Sequence, residues 1–250
     1  MVGMTGPEPA TRRSSNGSLI KGSSYRIAAE IAIVFAVVLG VKEFADNVRL
    51  TGAGSVAIWC GIIVATLFMK RAGISWRALG LVLPTGFRAW AATLGLALLT
   101  VVSVIVFMIF ILDPVTTYFD WVTPPEAPDR WAFLLGRPFI FLAYLIGIVW
   151  VGAALGEELL MRGFVLNRLA DLFGQGRLAW ISATIVHAVI FGLLHIYQGV
   201  PGMVGTGVVA CIFAGIYLIA KRRLLPVIIG HGIVNTISLT AYYLSDGNIT

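Results

Sequence analysis

The sequence predicts an all-α protein, a polytopic bundle of about seven transmembrane helices, and three observations support this. Of the 250 residues, 58% are hydrophobic and only 12% are charged, whereas soluble domains carry about 25% charged residues. Seven apolar stretches approach the roughly 20 residues that a helix needs to cross a bilayer. The loops between them alternate in charge. A soluble chain with so little charge could not cover its surface.

The apolar stretches follow one another along most of the chain. The first is short, and the fourth is open to extension past Gly156. They are Arg26–Val41, Thr51–Met69, Ala89–Leu112, Pro138–Gly156, Leu178–Tyr197, Val200–Ala220 and Leu225–Leu244.

The charges between the stretches predict the orientation. Because cytoplasmic loops carry the excess of Lys and Arg, the N-terminus is expected in the cytoplasm and the C-terminus outside. The net charge of +6 follows from this topology. The basic residues form separate short clusters, which do not indicate nucleic-acid binding. We expect an integral, multi-pass protein of a bacterial inner membrane. The basic residues are Lys70, Arg71, Arg77, Arg88, Arg162, Arg168, Arg177, Lys221, Arg222 and Arg223, and the acidic ones Asp113, Asp120, Glu126 and Asp129.

Composition divides the chain into three parts. Residues 1–25 are polar, lack the apolar core of a signal peptide, and are expected to be a disordered cytoplasmic tail. Residues 26–130 should form the N-terminal transmembrane helices. Residues 131–250 should form a core that carries the polar motifs. The two cysteines, Cys60 and Cys211, lie inside apolar stretches and indicate neither a disulfide framework nor a metal site.

Three ionisable residues stand beside the fourth apolar stretch, in the segment EELLMR. A charge at the centre of a membrane helix costs about 2.5–3.5 kcal/mol, so such residues persist when they are paired or functional. Glu158 and Arg162 are four residues apart, share a helix face and can pair. Glu157 points about 100° away and is poorly placed for the same arginine. The spacing therefore leaves Glu157 available as a general base or acid.

Further polar residues occur in the last three stretches. FGLLH ends in His195 near the close of the fifth stretch, and HGIVN places His231 and Asn235 four apart in the seventh, where both can donate toward one point. Packing alone does not explain these residues. His187, the third histidine, matches neither pattern, and we expect a structural role for it.

Together, EELLMR, FGLLH and HGIVN resemble the three motifs of the CPBP family, the type II CAAX prenyl endopeptidases and their bacterial relatives, whose pattern is EExxxR, FxxxH and HxxxN. The resemblance implies an intramembrane endopeptidase, with its active site inside the bundle, that acts on a peptide or protein at the membrane. Glu157 would activate a water that His195 helps to bind. His231 and Asn235 would stabilise the oxyanion, and Glu158 and Arg162 would orient the catalytic groups.

Three alternatives stay open. Two histidines and a glutamate could instead form a zinc site, although HExxH is missing and Asn235 suits an oxyanion donor better; we therefore expect no metal and no cofactor. The same fold could serve a bacteriocin self-immunity factor or a scaffold. A proton-coupled transporter could use the carboxylates as a relay, but it would more naturally show paired repeats.

The predicted boundaries also contain a conflict. With straight helices, His195 would lie near the outer side and Glu157 near the inner end of its stretch. The two meet only if the fourth helix continues well past Gly156 or the fifth begins later than Leu178.

Overall fold

The computed structural model describes residues 24–126 and 130–247. The predicted N-terminal tail, apart from its last two residues, and Asp129 lie outside these residues. The described residues form seven long helices and no strand: α1 Ser24–Asn47, α2 Ala53–Arg71, α3 Phe87–Tyr118, α4 Pro138–Leu172, α5 Arg177–Leu193, α6 Gly199–Ile219 and α7 Leu225–Leu244.

Each of the seven predicted apolar stretches corresponds to one of these helices, so the prediction of a helical membrane bundle is confirmed. By length and composition, five segments can cross a bilayer: α2, α3, α4, α7 and α6 with the short helical turn before it. Helix α5 is apolar but has only 17 residues. Helix α1 has 24 residues, and its charged residues dilute its apolar character.

Helix α4 differs most from the prediction. It does not end at Gly156 but runs on to Leu172, over 35 residues. Its middle, Leu145–Val165, has the wider hydrogen bonding of a π-helix, a form that is often found at functional sites. Arg162 and Arg168 are therefore buried helix residues and not cations of an inner loop, as the charge count assumed.

The core surrounds the second half of α4, where Leu160 and Phe164 are buried. Helices α2 and α7 pack along α4, and its last turns meet α1 and α5. Glu30 of α1 accepts hydrogen bonds from both Arg26 and Arg168. Arg26 and Glu30 have the four-residue spacing that pairs side chains on a helix, but the bond that ties α1 to α4 has no local signal in the sequence.

Helices α5 and α6 approach each other closely at two glycines. A Cβ on Gly192 would lie 2.6 Å from the Met203 carbonyl oxygen and 3.4 Å from the Gly207 Cα. Only a residue without a side chain fits there without displacing backbone. This contact fixes α5, which leads into His195, against α6.

Candidate active site

The centre of the site is an ion pair within α4. Arg162 Nη1 donates to Glu158 Oε1 over 2.9 Å, and both side chains are completely buried. The predicted pairing at a spacing of four residues is thus present, even though this part of α4 is π-helical. Two buried charges each compensate the other, and removing one would leave its partner unpaired in an apolar interior.

A third motif residue reaches the same carboxylate oxygen. His231 Nδ1 of α7 lies 2.8 Å from Glu158 Oε1, across 73 residues of sequence. Because an ionised carboxylate only accepts hydrogen bonds, Nδ1 carries the proton and donates it. Nε2 is the remaining polar atom of the ring. Sequence reasoning missed this bond, because helix spacing predicts partners only within one helix.

Helix α7 comes close to α4 because Gly232 has no side chain. The Trp150 ring of α4 fills the position that a Cβ on Gly232 would need. Trp150 Nε1 also donates to Thr236 Oγ1 over 3.2 Å. Both contacts hold the HGIVN motif against α4, on one side of the Glu158–His231 bond.

Two phenylalanines enclose the arginine. The Arg162 Cζ lies 4.9 Å from the ring centroid of Phe191 and 5.1 Å from that of Phe213. Cation–π contacts of this kind are strongest where the charge is desolvated. The arginine of EELLMR is therefore held by the phenylalanine of FGLLH, which joins the first and second motifs.

This contact resolves the conflict over depth. Helices α4 and α5 are joined by a short turn and run antiparallel. Glu158 lies one turn before Arg162 on α4, and His195 lies four residues after Phe191. Because the two helices are antiparallel, going back along α4 and forward along α5 leads in the same direction along the bundle. FGLLH therefore begins beside the Glu158–Arg162 pair and not at the opposite end of the bundle, because α4 continues to Leu172.

His195 itself stands just past the end of α5, not inside the helix as predicted. Its Nδ1 lies 2.8 Å from the Phe191 carbonyl oxygen, which can only accept, so Nδ1 is the protonated nitrogen. In the neutral ring Nε2 is then an acceptor. The side chain is half-buried and its ring packs 4.7 Å from that of Phe191.

Glu157 and Asn235 are half-buried, unlike Glu158 and His231. Within the described ranges, neither side chain makes a hydrogen bond or ion pair, and Glu157 interacts with the Arg162 charge only at longer range. The structure thus brings Glu158, Arg162 and His231 into contact. It leaves the polar atoms of Glu157 and Asn235 available to other molecules.

His187 lies one turn before Phe191 and is completely buried. Neither ring nitrogen has a hydrogen-bond partner among the residues described. In the same part of the chain, no three His, Cys, Asp or Glu side chains form a group that could hold a metal ion.

A comparison with protein families supports the resemblance drawn from the three motifs. The family model described as "Type II CAAX prenyl endopeptidase Rce1-like" matches residues 138–237. Comparisons with curated proteins and with solved structures gave no match. The matched segment begins at the first residue of α4 and ends within α7, so it contains all three motifs. Over residues 138–237, less than half of its 250 residues, this chain is therefore similar to the type II CAAX prenyl endopeptidases of the Rce1-like family.

Proposed function

We propose that this chain is an intramembrane endopeptidase that hydrolyses a peptide bond of a membrane-associated peptide or protein. One observation carries the proposal: Glu158 Oε1 binds both Arg162 and His231 in a fully buried site, while the neighbouring Glu157 makes no hydrogen bond or ion pair with the described residues. One carboxylate is committed to structure and the other is available for chemistry.

Glu157 is better suited than Glu158 to act as the general base. A base must reach the water that it deprotonates, and Glu158 is completely enclosed, whereas Glu157 is half-buried. In this assignment Glu157 takes a proton from water as the water oxygen adds to the carbonyl carbon. The same carboxyl group then gives a proton to the departing amine as the C–N bond breaks.

His195 is suited to hold the attacking water. Its Nδ1 proton is engaged by the Phe191 carbonyl, so the neutral ring presents Nε2 as an acceptor for a water O–H. His195 lies four residues after Phe191, whose ring packs against Arg162, and Glu157 precedes Glu158, the partner of that arginine. The two side chains would approach the water from α4 and from the end of α5.

Asn235 and His231 would stabilise the oxyanion that forms on the substrate. The Asn235 amide has donors that no described residue occupies, and it lies one helical turn after His231. His231 Nε2 can join it as a donor when the ring carries both protons. Preorganised donors of this kind stabilise a developing negative charge.

A non-catalytic scaffold of the same fold is the main rival. A scaffold needs the buried Glu158 pair for folding but has no use for Glu157. The two accounts therefore differ in the effect of replacing Glu157 alone.

The test is a comparison of new protein N-termini in membranes of cells that express the wild type, Glu157→Gln or Glu43→Gln. Glu43 is an exposed glutamate of α1 and controls for the loss of one carboxylate. We expect N-termini that appear with the wild type and Glu43→Gln and disappear with Glu157→Gln. The same set of N-termini from all three proteins would contradict the proposal.

A further inference from the structure

An open groove of about 510 Å³ lies between α5 and α6, apart from the residues assigned to catalysis. Its walls are apolar over most of their length, and Ile181 and Ile185 are exposed. Since these residues lie on apolar helices, the groove opens toward the hydrocarbon of the bilayer. The lining residues are Arg177, Trp180, Ile181, Thr184, Ile185, Cys211, Gly215 and Leu218.

One end of the groove is strongly basic. Arg177, the first residue of α5, is exposed and lines it. The turn after α6 contributes Lys221, Arg222 and Arg223, and the Arg222 Cζ lies 5.4 Å from the Trp180 ring centroid. Tryptophan is enriched at the level of lipid headgroups. The basic end therefore has the composition of a membrane interface.

The groove also contains a polar atom that the protein does not satisfy. The Thr184 hydroxyl oxygen is buried and has no hydrogen-bond partner among the residues described, whereas Thr66, Thr100 and Thr206 each donate to the carbonyl four residues earlier. Opposite it on α6, a Cβ on Gly215 would meet no atom within 4 Å. The groove thus combines one hydroxyl with open apolar space.

We propose that this groove binds one anionic phospholipid. Its phosphate would lie at Arg177, beside Trp180, and one acyl chain would run along Ile185 and Gly215. Thr184 lies seven residues from Arg177, about 10 Å along the helix. The headgroup layer is about 5–7 Å thick on each side of the hydrocarbon, so Thr184 lies deeper than this layer, beside the acyl chain.

The charge of the site selects among lipids. Basic pockets between transmembrane helices bind anionic headgroups, and each basic residue near the surface contributes about 1 kcal/mol, or about fivefold in affinity. A zwitterionic lipid with the same acyl chains would fill the groove without this gain.

Native mass spectrometry of the purified protein tests the site, with phosphatidylglycerol or phosphatidylcholine of identical chains added in detergent. We expect one phosphatidylglycerol to be retained in preference to phosphatidylcholine. Arg177→Gln should weaken its retention about fivefold. The matched control, Arg88→Gln, removes an exposed arginine outside the groove and should leave retention unchanged.

A second pair of variants tests the groove itself. Gly215→Leu should fill it and lower the retention of both lipids. Gly95→Leu is its control, since a Cβ there also meets nothing within 4 Å and Gly95 lies outside the lining. Equal retention of the two lipids, or equal effects of Arg177→Gln and Arg88→Gln, would overturn the proposal even if Gly215→Leu did not fold. None of these outcomes depends on proteolytic activity.

Discussion

His231 Nδ1 and Glu158 Oε1 lie 2.8 Å apart and join α7 to the middle of α4. Because the same oxygen binds Arg162, Glu158 links two residues that differ in their proposed tasks. Arg162 is a buried cation on the same helix as Glu158, and His231 is a candidate oxyanion donor on α7. The bond changes what substitutions at these positions should do.

Arg162→Ala should destabilise the fold as well as abolish activity. Removing one partner of a buried ion pair costs about 3–5 kcal/mol, because the other charge is left uncompensated. The measurement is thermal unfolding in detergent, with exposed Arg88→Ala as the control. Equal melting of Arg162→Ala and the wild type would show that the buried pair does not stabilise the bundle.

His231→Ala should lower both activity and stability. The loss of stability follows from the structure, because the bonding partner of His231 lies on another helix. In the structure, the substitution removes a hydrogen bond to a buried carboxylate, and a hydrogen bond to a charged group contributes about 1.5–3 kcal/mol. Unfolding of His231→Ala should therefore begin at a lower temperature than that of Asn235→Ala; coincident melting curves would argue against the Glu158 bond.

Asn235→Ala should reduce turnover and leave folding unchanged. The side chain is half-buried and makes no hydrogen bond within the described part of the chain, so its loss leaves no group unsatisfied. Removal of one oxyanion donor lowers kcat by about 10²–10³. Steady-state cleavage of a substrate identified from the N-termini gives kcat and KM separately; a rise in KM at constant kcat would assign Asn235 to substrate binding instead.

Activity should not require zinc. We expect cleavage to persist after treatment of the purified protein with a strong chelator. The measurement is the metal content of the protein together with cleavage before and after chelation. The contrary result is stoichiometric zinc in the protein, with cleavage that is lost on chelation and restored by added zinc. In that case Glu157, His195 and His231 would be metal ligands rather than a base and hydrogen-bonding groups.

The orientation predicted from the basic loops can be tested with a reporter that is active only outside the cytoplasm. Fused after the C-terminus, it should be active, because an odd number of spans separates the two ends. The site should then lie within the inner half of the bilayer or open toward the cytoplasm. An inactive reporter at that position would contradict seven crossings.

The sequence predicts the helical bundle well because its signals are local. Apolar length marks all seven helices, and a spacing of four residues predicts the Glu158–Arg162 pair. The end of α4 was not predictable in this way, since charges that normally end a span are compensated by partners elsewhere in the chain. Glu30 compensates Arg168, and His231 reaches Glu158, so these contacts become visible only in the folded protein.

The central claim is that Glu157 performs chemistry while Glu158 maintains structure. The most direct test is single-turnover cleavage by purified wild type, Glu157→Gln and Glu158→Gln, with thermal unfolding measured on the same samples. We expect Glu157→Gln to melt like the wild type and to lose cleavage, and Glu158→Gln to lose both cleavage and stability. Cleavage by Glu157→Gln at the wild-type rate would contradict the account.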